Sequence, residues 1–188
     1  MKNYLLLLSL LLTPIVMSAQ SIFEKYEDQD HVTSVVVNQK MFKMLANIDV
    51  QTNDPESDAF INQVKMLDNL TVYTTDNIGV SKSMKNDVEQ YIKNSKLEEL
   101  MRIKDGDQTV NFFVLEGKDD NHVKELLMFV NGLGDLTKNE NISINGKQRS
   151  IETVLLSLTG DIDLRQVSKL TNQLNVPGGD QLKKATKE

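Results

Sequence analysis

The 188-residue chain contains no cysteine and no tryptophan, two histidines and three prolines, and only 5% of it is aromatic. Without cysteine, neither a disulfide framework nor a thiolate metal site can form. The same absence excludes a lipid anchor of the lipoprotein type, which needs a cysteine at the processing point. His31 and His122 fit no HExxH or HxH pattern. A zinc site without thiolates would need both of them plus carboxylates, and each instead falls at the start of a predicted strand. Sugar clefts lean on aromatics, and tryptophan is missing. The three arginines, Arg102, Arg149 and Arg165, are scattered, and the formal charge is -6. Phosphate-backbone binding needs clustered cations, so this balance argues against a nucleic-acid surface, and no nucleic-acid partner is expected. Basic partners and neutral ligands fit this balance better.

Long apolar runs are also scarce. The longest opens the chain, in "MKNYLLLLSLLLTPIVMSAQS", where Lys2 precedes an apolar stretch broken by Pro14 and followed by Ser18 and Ala19. This is the layout of a secretory signal peptide over residues 1–19, and the interruption makes a membrane span of about 20 apolar residues a poor fit. The expected product starts near residue 20 and is periplasmic or secreted. Its length suits one domain with its own core.

Hydrophobic periodicity then divides the chain. His31 to Val37 is β-branched and strand-like. Asn38 stands at an N-cap position before a helix whose Met41, Met44 and Leu45 share one face. Asp54 and Pro55 open a second helix carrying Phe60, Ile61, Val64 and Leu67 at core spacing. Leu70, Val72 and Thr74 alternate with Thr71, Tyr73 and Thr75, the period of a strand. Val80, Met84, Val88 and then Tyr91 or Ile92 form one stripe opposite Lys82, Lys85 and Glu89, which is the clearest amphipathic helix in the chain.

From Glu98 the period returns to two. Asp105 and Gly106 between two such runs signal a hairpin, because glycine accepts the positive φ of a tight turn. A third run, with Leu126 to Val130 continuously apolar, completes an antiparallel meander and reads as central. Residues 131–149 read as a long loop with a small hairpin turned at Asn145 and Gly146. A further strand, "IETVLLSLT", precedes a last helix in "DLRQVSKLTNQL". A tail follows over 175–188, in which Pro177, Gly178 and Gly179 stop any regular structure.

The stretch with most chemical promise is "LTGDIDL". Asp163 stands before a helical pattern with Gln166 three residues on, a capping-box arrangement, and Gly160 after Thr159 supplies the freedom to leave the strand. Asp161 is not explained by capping. Two aspartates give a hard cation too few oxygens, so turn and cap is the preferred reading over a metal site. No G-x-S-x-G occurs, and "GLGD" at Gly132 to Asp135 lacks the third glycine of a dinucleotide fingerprint and reads as loop. Glu98–Glu99 and Asp119–Asp120 sit at element boundaries as solvated acids. The methionines read as core fillers.

"VTSVVVNQKMFKML", "LEELMRIKDGDQTVNFFVLEG", "VKELLMFVNG" and "TVLLSLTGDIDLRQVSKL", in that order, resemble the blocks of an exported family of Bacteroidota-type bacteria catalogued as domain of unknown function four-two-five-two. The resemblance implies an envelope location, one α+β domain over about residues 20–174, and a link to envelope signalling. It brings no catalytic residues.

The fold class expected is thus α+β: a mainly antiparallel β-sheet with helices packed on one face. No cofactor is expected. The leading functional expectation is a non-enzymatic binding or interaction module whose partner is an envelope protein, with an exposed apolar patch or sheet edge. Two alternatives stand beside it. One is a carboxylate-dependent hydrolase using Asp161, Asp163 and Glu99, which requires those groups to converge. The other is a carrier of a small apolar ligand.

Overall fold

The structure is a computed structural model that describes residues 22–47, 55–137, 143–144, 147–148 and 150–166. The expected signal segment, the Asp54 cap, the Asn145–Gly146 turn, most of the last helix and the tail lie outside these residues.

In chain order the elements are β1 (Val32–Asn38), α1 (Gln39–Ala46), α2 (Pro55–Lys65), β2 (Leu67–Thr75), α3 (Ile78–Asn94), β3 (Glu98–Asp105), β4 (Gln108–Glu116), β5 (His122–Asn131), the single helical turn α4 (Gly134–Thr137), β6 (Ser143–Ile144), β7 (Lys147–Gln148) and β8 (Thr153–Asp163). Six strands form one sheet in the order β1-β2-β8-β5-β4-β3, and every neighbouring pair is antiparallel. The α+β class and the antiparallel sheet match the expectation. β6 and β7 pair antiparallel with each other. α4 replaces part of the expected loop at "GLGD".

The meander turns where Asp105 and Gly106 indicated: Asp105 pairs with Gln108, and Gly106 adopts φ 56°. β5 is central, and Leu126 to Val130 are all buried. A strand covered on both faces cannot alternate in polarity, which explains its continuous apolar run.

Helices pack on both faces of the sheet rather than one. Successive strand residues alternate between two cores, as the pleat requires. Leu126, Met128, Leu156 and Leu158 join Phe42 and Ala46 of α1 and Val64 of α2. Leu127, Phe129, Leu155 and Tyr73 join Val80, Met84 and Val88 of α3, with Tyr26 from the short 3-10 turn Glu24–Tyr26 and Phe23 just before it. Because β5 and β8 are apolar on both sides, one helical layer would leave half of their side chains in water.

Two further expectations are corrected. On α1 the buried residues are Phe42 and Ala46, while Met41, Met44 and Leu45 are exposed. This short helix lies across β1 and β2 and against α2, so its Phe42 and Ala46 turn inward. Asn38 does cap it, accepting the Met41 N–H at 3.1 Å.

At β8, Gly160 does not end the strand, which runs on to Asp163. Gly160 sits at φ 140° opposite Leu67, where the register with β2 shifts, so it serves a bulge. A Cβ there would lie 2.5 Å from the Met66 carbonyl oxygen, and only glycine allows that approach.

Candidate functional site

The residues singled out in the sequence fall at opposite ends of the sheet. Asp105 and Gly106 form the β3–β4 tip, while Thr159, Gly160, Asp161 and Asp163 occupy the far end of β8, beside the start of β5. Thr159 pairs with Asn69 on one side and Glu125 on the other.

Asp163 is a cap. Its Oδ1 accepts the Arg165 backbone N–H at 2.9 Å, and the Arg165 guanidinium donates to the same carboxylate at 2.7 Å. These bonds hold the carboxyl below its ordinary range. The capping box, however, does not close through Gln166. The Asp163 N–H donates instead to Gln63 Oε1 at 3.0 Å, and Gln166 Oε1 is buried with no partner among the described residues.

Asp161 accepts from Lys118 Nζ at 2.6 Å. Next to it, His122 Nδ1 and Asp119 Oδ1 are 2.7 Å apart, and that bond lowers the Asp119 carboxyl. Asp161, Asp163 and Asp119 thus each have a basic side chain as partner. Among the described residues no group of three or more acidic or histidine side chains is arranged to hold a metal ion.

Glu99 does not join Asp161 and Asp163. It lies on β3, an edge strand, with β4 and β5 between it and β8, a separation of roughly 14 Å at about 4.8 Å per strand. Its carboxylate pairs with Arg102 at 2.6 Å. The convergence that the hydrolase reading requires is therefore lacking among these three.

Two surfaces stand out from the rest of the described residues. The first is the β1–α1 edge. β1 is a sheet edge, and Val35 and Val36 are 49% and 47% exposed on it. The chain continues directly into α1, where Met41, Met44 and Leu45 are also exposed. The β1 sequence VTSVVVN carries no charge and no proline. The opposite edge, β3, reads EELMRIKD and presents charged side chains along its length. Charges on an edge strand repel further strands, so β3 is protected against pairing and β1 is not.

The second surface is a groove of about 510 Å³ on the α3 face, between α3 and strands β3 to β5. α3 is about 10 Å wide, enough to cover roughly two strands. A cleft remains between α3 and β3, with Phe113 of β4 and Phe129 of β5, each 7% exposed, at its floor. Phe113, Phe129, Val88 and Ile92 form its apolar lining, and Lys85, Lys93, Arg102 and Lys104 are its cations against Glu89 and Glu99.

A buried polar cluster lies under the same helix. Glu125, 7% exposed, accepts the Tyr91 hydroxyl at 2.9 Å and the Ser157 hydroxyl at 3.4 Å. Burial raises its carboxyl above the ordinary range, while the two hydroxyls act in the opposite direction. The sequence signal was an acid opening the apolar run of β5. Gln63 carried no such signal, since a glutamine in an amphipathic helix looks solvated. The groove was invisible because its walls come from four separate elements.

No curated protein and no solved structure matches the chain. Residues 26–170 match the model of a family described as a domain of unknown function (DUF4252).

Proposed function

We propose, from the premise that the chain belongs to the DUF4252 family, that it is an exported, non-enzymatic binding module of the bacterial envelope. Its partner is an extended, apolar segment of an envelope protein that pairs with β1. The observation carrying this reading is the contrast between the two sheet edges: β1 is uncharged with exposed valines, and β3 is charged at Glu98, Glu99, Arg102, Lys104 and Asp105, five of its eight residues. Strand addition draws affinity from main-chain hydrogen bonds and specificity from alternate side chains. β1 offers free backbone groups on its outer side among the described residues, and α1 adds apolar side chains beside them. Export follows from the N-terminal pattern of Lys2, the apolar run and Ser18–Ala19. A link to envelope signalling belongs to the same reading, with a membrane regulator as the partner expected.

A photo-crosslinking residue at Val36, with Leu100 on β3 as the control position, tests this in cells of the host. Adducts to one envelope protein from position 36 alone, together with slowed amide exchange over Val32–Asn38 when that protein is added, are the expected result. Adducts only from position 100, self-adducts, or unchanged exchange in β1 would overturn it.

A further inference from the structure

We propose that the groove between α3 and β3–β5 binds a small anionic amphiphile, a single alkyl chain ending in a carboxylate. The site is on the face opposite α1 and beside the edge opposite β1, so it is independent of the partner surface above.

The polarity of the groove changes along its length. At one end, Lys104 pairs in register with Thr109, and Thr109 with Asn131. Asn131 Oδ1 already accepts the Ser81 and Thr153 hydroxyls, each at 3.0 Å, which leaves its amino group as the remaining donor. The Ser81 bond also ties the first turn of α3 to this end, and Lys85 follows one turn later. Cations and neutral donors thus gather here, in the chemistry that holds a carboxylate. Neither Lys85 nor Lys104 forms an ion pair among the described residues, whereas Arg102 is taken by Glu99.

Toward the other end, Phe129 stands beside Asn111 and Phe113 beside Leu127. Val88 and then Ile92 descend α3 over them. This wall suits an alkyl chain. A volume of about 510 Å³ lies within the common range for small-molecule sites, about 300–1,000 Å³.

Charge decides the sign of the ligand. The whole chain carries a formal charge of -6, so its general field disfavours anions. The groove reverses this locally, with Lys85, Lys93, Arg102 and Lys104 facing only Glu89 and Glu99 as acids. A purely apolar ligand would leave Lys85 and Lys104 unused, and a cationic one would meet them directly.

The test is an NMR titration of the purified protein with decanoate, decan-1-ol and decyltrimethylammonium. Decanoate is expected to bind saturably and to shift the amides of Asn111, Phe113 and Phe129. The alcohol should bind at least tenfold more weakly and the ammonium not at all. Lys85→Glu with Lys104→Glu should weaken decanoate at least tenfold, and Lys40→Glu on α1 should leave it unchanged. All three lysines are exposed, so folding is expected to persist. If the double variant does not fold, Lys104→Gln alone and the salt dependence of the wild type serve instead, and both should show weakened binding. Equal affinity for the alcohol, shifts confined to β1 and α1, or indifference to both substitution and salt would overturn the proposal.

Discussion

The side chain of Gln63 and the backbone of Asp163, 100 residues apart in sequence, are joined by a 3.0 Å hydrogen bond in which Gln63 Oε1 accepts the Asp163 N–H. The same amide donates from Nε2 to the Asp161 carbonyl at 3.0 Å. The ladder between β2 and β8 ends at Gly160, and Asp161 N–H finds only the Met66 carbonyl. Gln63 therefore continues the ladder with a side chain where the backbone partner has stopped.

Replacing the buried Gln63 with leucine leaves a part-buried donor, the Asp163 N–H, and a part-buried acceptor, the Asp161 carbonyl, without this partner. The expected loss is about 2 kcal/mol, from about 1–3 kcal/mol for an unsatisfied buried group. Urea unfolding of Gln63→Leu against the wild type measures it, and an unchanged midpoint would show that water satisfies both groups.

Glu125 sets a pH dependence. Its carboxyl is raised in the folded protein, chiefly by burial, so the folded state holds the proton more tightly than the unfolded chain does. The associated stability is fully present below the ordinary glutamate range and is lost as pH rises through the raised folded value. Glu125→Gln removes the titration while keeping an acceptor for Tyr91. Its stability relative to the wild type should therefore climb between about pH 4 and the raised value, then level off. A difference that stays constant from pH 4 to 9 in urea titrations would contradict this.

Gly160 and Gly106 both adopt positive φ, yet alanine should affect them unequally. At Gly106 the added Cβ meets nothing within 4 Å, and the cost is the left-handed conformation alone, about 1–2 kcal/mol. At Gly160 it meets the Met66 carbonyl at 2.5 Å and Leu67 Cα at 2.8 Å, so β2 and β8 must separate at the bulge. Thermal melts should show Gly160→Ala as clearly the more damaging, and equal melting temperatures would refute the bulge argument.

On α1, Phe42→Ala should cost about 3–5 kcal/mol, because Phe42 is 5% exposed in the core. Met44→Lys should change stability by no more than about 0.5 kcal/mol, since Met44 is 59% exposed. Chemical unfolding of the two variants distinguishes this packing from the one in which Met41, Met44 and Leu45 face inward. It also supplies a folded variant altered on the surface proposed to meet a partner.

The periods of two and 3.6, the Asn38 cap, the Asp105–Gly106 hairpin and the apolar run of β5 are local properties. Each depends on residues a few positions apart, and the sequence by itself determined them. The α+β class followed from their order. Which face of α1 is buried, how far β8 runs past Gly160, and where the Asp163 N–H goes were decided only by tertiary structure. In each case the deciding group comes from elsewhere in the chain: α2 and the sheet for Phe42, Met66 for Gly160, Gln63 for Asp163. The β1–α1 edge and the groove have the same origin. β1 becomes an edge through sheet order, and the groove exists because α3 covers only part of the sheet. Periodicity tells a strand which side chains alternate, but the identity of its neighbours is set by contacts between residues far apart, and only the assembled sheet contains that information.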